Sequence, residues 1–328
     1  MIFVWYLMAA AVLVLFSIKC ADYVDMLDKK TNMSGAFIGG VILAAVTSLP
    51  EMITSISAVA LGNPGLIIGN VLGSDLFNLC IFGLLTLVAV KAFRGATVGT
   101  SHLKVLICTV LAYLATGFVL FSGLETTFPG VSINIASVII VILYAISCKF
   151  MASDDSESDS EDDNDLTVKQ VVVRFVLCAL GLVIASVIIT KITDVIDSQY
   201  NLGASLAGAL FLGVATSIPE LTSSIALVRK GNFNAMIGNV VGSNMFNFII
   251  FSVSDILAFR SNVYEVSADS KLLIIFGLVS ALLTMASLIL KGKSEDRKSI
   301  AVNGVIMVLG FLICASYVTF IICSMANG

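Results

Sequence analysis

The sequence is short of charge. Of its 328 residues only 12% are Asp, Glu, Lys or Arg, and 58% are apolar, against about 25% and 45–50% in a soluble domain. Half the usual charge cannot cover a water-facing exterior of this size. With a mean hydropathy of +1.05, the composition excludes a soluble globular protein. A basic stripe is also missing, so nothing would displace counterions from phosphates, and nucleic acid is not an expected partner. The lone His102 lies in a polar connector beside Lys104 and cannot make a zinc site by itself. The seven cysteines (Cys20, Cys80, Cys108, Cys148, Cys178, Cys314 and Cys323) have no metal-ligand spacing and mostly sit in apolar runs, where cysteine packs as a small hydrophobe. No cofactor is implied, and no protein partner is evident. The N-terminus has neither a basic n-region nor a small-residue cleavage site, so 2–18 reads as a membrane span and not a removed leader.

What the sequence has is apolar runs of membrane-spanning length, about 20 residues each. They fall near 2–18, 34–61, 66–90, 105–122, 131–148, 170–190, 203–228, 235–259, 272–290 and 300–323. This predicts an all-α integral membrane protein with ten transmembrane helices. Assigning the connectors alternately to two sides puts 15 Lys and Arg on one and 3 on the other, the three being Lys191, Arg260 and Lys271. Positive residues mark the cytoplasmic side, so both termini are expected outside a prokaryotic inner or plasma membrane. The net charge of −4 hides a local excess: eight of the 22 acidic residues lie between Asp154 and Asp165. Such a block of like charge reads as a solvated cytoplasmic linker. It lacks the central Gly and spaced Glu of a calcium loop. The chain divides into an N-terminal half at 1–150, the acidic linker at 151–168 and a C-terminal half at 169–328.

The two halves share a repeat. Residues 39–82 align with 208–251 at a constant offset of 169, without a gap, and 21 of the 44 positions are identical. The matches include Thr47/Thr216, Ser48/Ser217, Pro50/Pro219, Glu51/Glu220, Asn70/Asn239, Gly73/Gly242, Ser74/Ser243 and Asn78/Asn247. Chance likeness between apolar helices matches Leu, Val and Ile, not Pro, Glu, Asn and Ser. Five spans per half is an odd number, so the second copy enters the membrane upside down. Inverted repeats place a transport site near the midplane, where discontinuous helices of both halves meet.

The repeated residues suit a hard cation. Proline removes a backbone donor and crowds the preceding turn, so Pro50 and Pro219 are expected to break their helices and free carbonyls around Ala44–Thr47 and Gly213–Thr216. Irregular backbone at that depth is tolerated against protein or a cavity. One residue beyond each proline stands a glutamate, which costs about 2.5–3.5 kcal/mol or more at the bilayer centre. Carboxylates beside carbonyls match the 6–8 oxygens that calcium takes at about 2.3–2.6 Å. Ser74 and Asn78 share a helix face, as do Ser243 and Asn247, and the Gly69/Gly73 and Gly238/Gly242 pairs let helices approach closely. Taken singly, the Ser, Asn and Gly residues would read as interhelical packing. Their recurrence beside Pro-Glu points to ions.

These residues resemble the two α-repeats of the calcium/cation antiporter superfamily, most closely its prokaryotic Na+/Ca2+ exchangers. The resemblance implies an antiporter and not an enzyme, with Ca2+ and Na+ as substrates that exclude each other by alternating access. It implies a Ca2+ site at Glu51 and Glu220 with the carbonyls of Thr47 and Thr216. It implies flanking Na+ sites at the carbonyls of Ala44 and Gly213 and at Ser48, Ser217, Ser74 and Ser243, with Asn78 and Asn247 at the central polar position. The chain departs from the family at Val46 and Ala215, where Gly is usual, and at Asn247, where potassium-dependent members carry Asp, so potassium coupling is not expected. Asp75, whose counterpart is Asn244, lies about 100° off the site face and reads as a polar or interfacial residue before an ion ligand. The obligatory charge is then the two glutamates, and a third Na+ would rest on neutral oxygens, making exchange electrogenic. Ca2+/H+ exchange is the alternative, since two close acids without a cation cannot both stay ionised cheaply. An intramembrane aspartyl protease would need Asp pairs and Gly-x-Gly-Asp, where this chain has Gly73-Ser74-Asp75, and a channel would need no counter-ion gradient.

Overall fold

Long apolar runs become long helices, because in lipid every backbone amide must be satisfied within its own segment. The computed structural model describes residues 2–31, 33–60, 64–122, 127, 133–153, 165–200, 206–258, 263–264, 268–293 and 300–327, with 206–215 described by backbone alone. The helices are α1 (Ile2–Lys30), α2 (Gly35–Phe37), a π-helical turn (Ile38–Leu43), α3 (Ala44–Thr47), α4 (Leu49–Ala60), α5 (Pro64–Val88), α6 (Val90–Gly95), α7 (Ser101–Ser122), α8 (Ile135–Ala152), α9 (Val168–Tyr200), α10 (Leu206–Arg229), α11 (Phe233–Leu257), α12 (Ala268–Lys293) and α13 (Ile300–Asn327). Among the described residues eight helices are long and apolar enough to cross a membrane, nine if the bent pair Gly35–Thr47 and Leu49–Ser57 counts as one span. The acidic stretch 154–164 lies outside the described residues.

The outer surface is apolar. Trp5, Leu7, Leu15, Val173, Leu177, Leu180, Ile184, Phe311 and Ile322 all stand exposed, an arrangement that suits lipid and not water. Polar residues are instead inside. The helix α11 is buried along nearly its whole length, including Asn239, Ser243, Asn244 and Asn247. It packs against α4, α5, α7, α8, α10 and the π turn, and so forms the axis of the fold. His102 is likewise not in a connector as expected. It lies in the first turn of α7, buried, with Nε2 2.7 Å from Asn234 Oδ1.

Glycine sets the closest approach. A Cβ on Gly39 would meet Ala235 Cα at 2.8 Å, one on Gly238 would meet Gly40 N at 2.9 Å, and one on Gly242 would meet Gly40 Cα at 2.5 Å. The π turn therefore lies backbone to backbone on α11, which only residues without a Cβ allow. The turn between α10 and α11 uses glycine differently. Gly231 adopts φ +78°, the left-handed conformation that closes a helix C-terminus. Asn232 then caps α11 by accepting the Ala235 amide at 3.0 Å, while its Nδ2 donates to Asp25 Oδ1 (3.1 Å) and Asp28 Oδ2 (2.8 Å) of α1.

The two prolines behave differently, which corrects the expectation of two broken helices. In the first half α3 stops at Thr47, Ser48 takes φ −90°, ψ 8°, and the chain turns by 40°. In the second half α10 runs unbroken through Pro219. A proline deprives one carbonyl of its donor but need not end a helix when surrounding packing holds it. The Thr-Ser-x-Pro-Glu sequence is the same in both, so context decides. A π turn with wider hydrogen bonding precedes the first, and α1, α5, α9 and α11 pack around α10.

Candidate functional site

The break at Ser48 starts a new helix at Leu49. Pro50 then occupies the first turn of α4, where a missing amide costs nothing, since amides there have no helical partner. Glu51 follows in the same turn, where the partial positive charge of a helix N-terminus favours an anion. Glu220 has no such terminus, because α10 is continuous. Both glutamates are 1% exposed.

Each glutamate is held by the other half of the chain. Ser48 Oγ donates to Glu220 Oε1 at 3.0 Å, and Ser217 Oγ donates to Glu51 Oε1 at 3.4 Å. Thr216 and Ser74 also stand beside Glu51, and Thr47 stands beside Glu220. The Oε2 atoms of both glutamates are buried without a hydrogen-bond partner. A buried carboxylate oxygen lacking a donor is costly, so these two atoms call for a cation or a proton. Among the described residues no three His, Cys, Asp or Glu side chains gather closely enough to hold a metal. An ion at the glutamates must therefore use neutral oxygens as well.

The other expected site residues are all interior, and Ser48, Thr47, Ser217, Thr216 and Ser74 are the ones seen against the glutamates. Thr47, Thr216, Ser48, Ser217, Ser74, Ser243, Asn78 and Asn247 are all buried. Ser217 Oγ also reaches Ser74 Oγ at 3.5 Å, bringing α10 and α5 together. The carbonyl of Ala44 is not freed as expected: it accepts the Ser48 amide at 3.0 Å and the Thr47 hydroxyl at 3.3 Å. The reason is register, since Pro50 deprives the residue four back, Val46, and not Ala44. Gly213 lies on α10 within the stretch described by backbone alone.

Asp75 is placed more centrally than its register on a single face implied. It is fully buried, its Oδ1 accepts Asn247 Nδ2 at 2.9 Å, and its backbone carbonyl accepts Asn244 Nδ2 at 3.2 Å. Helix α5 packs on both α10 and α11, so Ser74 and Asp75 can point roughly 100° apart and both remain inside. Sequence reasoning also left Asn70 and Asn239 without a role. Asn70 Nδ2 donates to the Glu51 carbonyl (2.9 Å) and Ser55 Oγ (3.0 Å), and Asn239 Nδ2 donates to Ser223 and Ser224 Oγ, both at 3.1 Å. Ser55 and Ser224 are themselves 169 apart, so the repeat held the signal: its identical polar residues bond to one another.

Comparison with known proteins fits this geometry. The sequence profile described as "Sodium/calcium exchanger protein" matches residues 1–152 and 170–320. The chain belongs to the sodium/calcium exchanger family. It is 28% identical over 227 residues to "Inner membrane protein YrbG" of Escherichia coli K12, spanning 65% of this chain and 66% of YrbG. It is 27% identical over 289 residues to "Putative antiporter CaxA" of Alkalimonas amylolytica, spanning 87% and 88% respectively. Its fold is similar to that of the sodium-calcium exchanger NCX_Mj, with a TM-score of 0.70 at 19% identity over 97% of this chain and 98% of that one. Structures of NCX_Mj were obtained after soaking with Na+ and with Ca2+ or Sr2+. As a member of this family the protein is an integral membrane cation antiporter and not an enzyme.

Proposed function

We propose that the protein exchanges Ca2+ for Na+ across a prokaryotic inner or plasma membrane by alternating access, through two inverted five-helix halves joined by the acidic linker. The observation that carries this reading is the crosswise pair Ser48–Glu220 and Ser217–Glu51, which leaves one bare carboxylate oxygen on each glutamate. The pairing ties the halves at the site itself, so an ion that binds both glutamates also governs how the halves sit. Ten spans with both termini outside follow from the charge bias, and the recurrence of the Asn–Ser contacts at an offset of 169 supports two related halves. Ca2+ would take the two glutamates with carbonyl oxygens of Thr47 and Thr216. Na+ would use the same acids with Ser48, Ser217, Ser74 and Ser243, so the two ions compete.

Purified protein in liposomes decides between ion pairs. Uptake of 45Ca is expected to require an opposing Na+ gradient, to be indifferent to a pH gradient and to gain nothing from K+ beyond its effect on voltage. With three Na+ for one Ca2+, a charge crosses each cycle, worth about 2.3 kcal/mol per 100 mV. An inside-negative potential should therefore speed Na+ entry coupled to Ca2+ exit. Uptake driven by a pH gradient with Na+ absent would favour Ca2+/H+ exchange, for which the two bare Oε2 atoms would share a proton.

The acidic linker lies outside both repeats and carries the composition of a solvated tether. Deleting 154–165 is expected to leave exchange within a few-fold of the parent in the same liposomes. A folded but inactive deletion would show that the segment takes part in the cycle.

A further inference from the structure

Beyond the glutamate, polar residues continue along α4. Glu51, Thr54 and Ser57 are spaced three apart, so they follow one another on successive turns of one side of the helix. Their exposure rises in that order: Glu51 is 1% exposed, Thr54 is 8% exposed, and Ser57 stands at the surface. The Ser57 hydroxyl is spent on the Ile53 carbonyl at 2.8 Å. Thr54 Oγ1 is different, being buried without a hydrogen-bond partner, although a helical threonine can reach the carbonyl one turn back.

The second half does not repeat this arrangement. Ser223, the counterpart of Thr54 at the offset of 169, donates to the Pro219 carbonyl at 2.7 Å and accepts Asn239 Nδ2 at 3.1 Å. The counterpart of Ser57 is Ala226, which is buried, and Leu227 beside it is fully buried. One polar stripe therefore runs from its glutamate to the surface, while the other ends under apolar residues. A buried hydroxyl left without a partner destabilises a fold. Thr54 thus holds an uncommitted oxygen one turn from Glu51 and one turn from the surface. A cation shedding water needs such oxygens to replace its hydration shell step by step.

We propose that Thr54 is the handover residue of the outer pathway, its hydroxyl oxygen replacing a water on a cation that passes between the outer face and Glu51. This rests on the Ca2+/Na+ reading of the glutamate pair and on the orientation that puts the Ala60 end of α4 outside. It adds a residue to the path and none to the sites where the ions come to rest.

The test is 45Ca exchange in membrane vesicles of both orientations, which titrates each face with Ca2+ separately. Thr54→Val keeps the shape of the side chain and removes its oxygen. Its KM for Ca2+ at the outer face should rise about five-fold, the worth of roughly one hydrogen bond. The maximal rate and the KM at the cytoplasmic face should stay at the parent's values. Thr54→Ser, which keeps the oxygen, should return the outer KM to that of the parent. In Thr54→Cys, an impermeant cationic methanethiosulfonate added outside should label the protein beyond the parent's own cysteines, and Ca2+ should protect against it. An unchanged outer KM in Thr54→Val would overturn the assignment. So would an equal rise at both faces, which marks a packing defect, or labelling of Thr54→Cys from the cytoplasmic face alone. A parent without Na+-driven Ca2+ exchange would instead overturn the exchange reading itself, before any variant is considered.

Discussion

Glu51→Gln and Glu220→Gln should each abolish Na+-driven Ca2+ flux while leaving folded protein in the membrane. Each glutamate would supply half of the carboxylate charge in the shared site. One unit charge about 4 Å from another is worth about 4 kcal/mol at an effective dielectric of 20, or roughly a thousandfold in affinity. The fold should tolerate the change for two reasons. The retained Gln carbonyl can still accept the Ser48 or Ser217 hydroxyl that now reaches Oε1, and a neutral amide is cheaper to bury than an unpaired carboxylate. The check is 45Ca uptake beside gel-filtration and thermal-unfolding profiles of each variant. Near-normal flux from either would remove that glutamate from the site. The two need not fail equally for Ca2+ binding, because Glu51 has the α4 N-terminus behind it and Glu220 has no comparable support. Glu51→Gln thus also removes the charge that the helix terminus had been placed to stabilise.

How far the sequence could be read depended on whether a feature was set locally. Apolar runs are local, so the helices came out close to their expected places: 105–122 against Ser101–Ser122, and 235–259 against Phe233–Leu257. The glutamate pair was legible because an acid in an apolar span is rare and this one recurs beside the same Thr-Ser-x-Pro. The break at Ser48 was not legible at that residue, since Pro50 and Pro219 have the same neighbours in sequence and only one of them follows a π turn. The wrong inference about the Ala44 carbonyl had the same origin, as it assumed a broken helix without fixing the register of the break.

Asp75 shows a different limit of reading one face at a time. A periodicity argument assigns one inward face to a helix, and α5 has two, one toward Ser217 on α10 and one toward Asn247 on α11. A helix packed on several sides makes polar residues of every register interior. The departure at Asn247 and the extra acid at Asp75 were separate oddities in the sequence. A single hydrogen bond makes them one feature, in which a carboxylate on α5 faces an amide on α11.

The largest structural effect is expected at the glycine seam. In Gly242→Ala the new methyl would collide with the Gly40 carbonyl and stand 2.5 Å from Gly40 Cα. Both clashing atoms are backbone, so no rotamer change relieves them and the helices must separate. Overpacking typically costs 1–3 kcal/mol, occasionally more, and a clash with main chain belongs at or above the top of that range. Separation would also displace the π turn that leads into Ser48 and Glu51, so transport should fall together with thermal stability in detergent. Gly39→Ala strikes the same seam through Ala235. Once one methyl has pushed the π turn off α11, a second has less left to disturb. The double variant should therefore lose clearly less stability than the two singles combined, as residues sharing one contact are not additive. Fully additive losses would mean that the two glycines act at independent places and that the seam does not move as a unit. A Gly242→Ala protein with parental stability would mean that α11 and the π turn do not lie backbone to backbone at all.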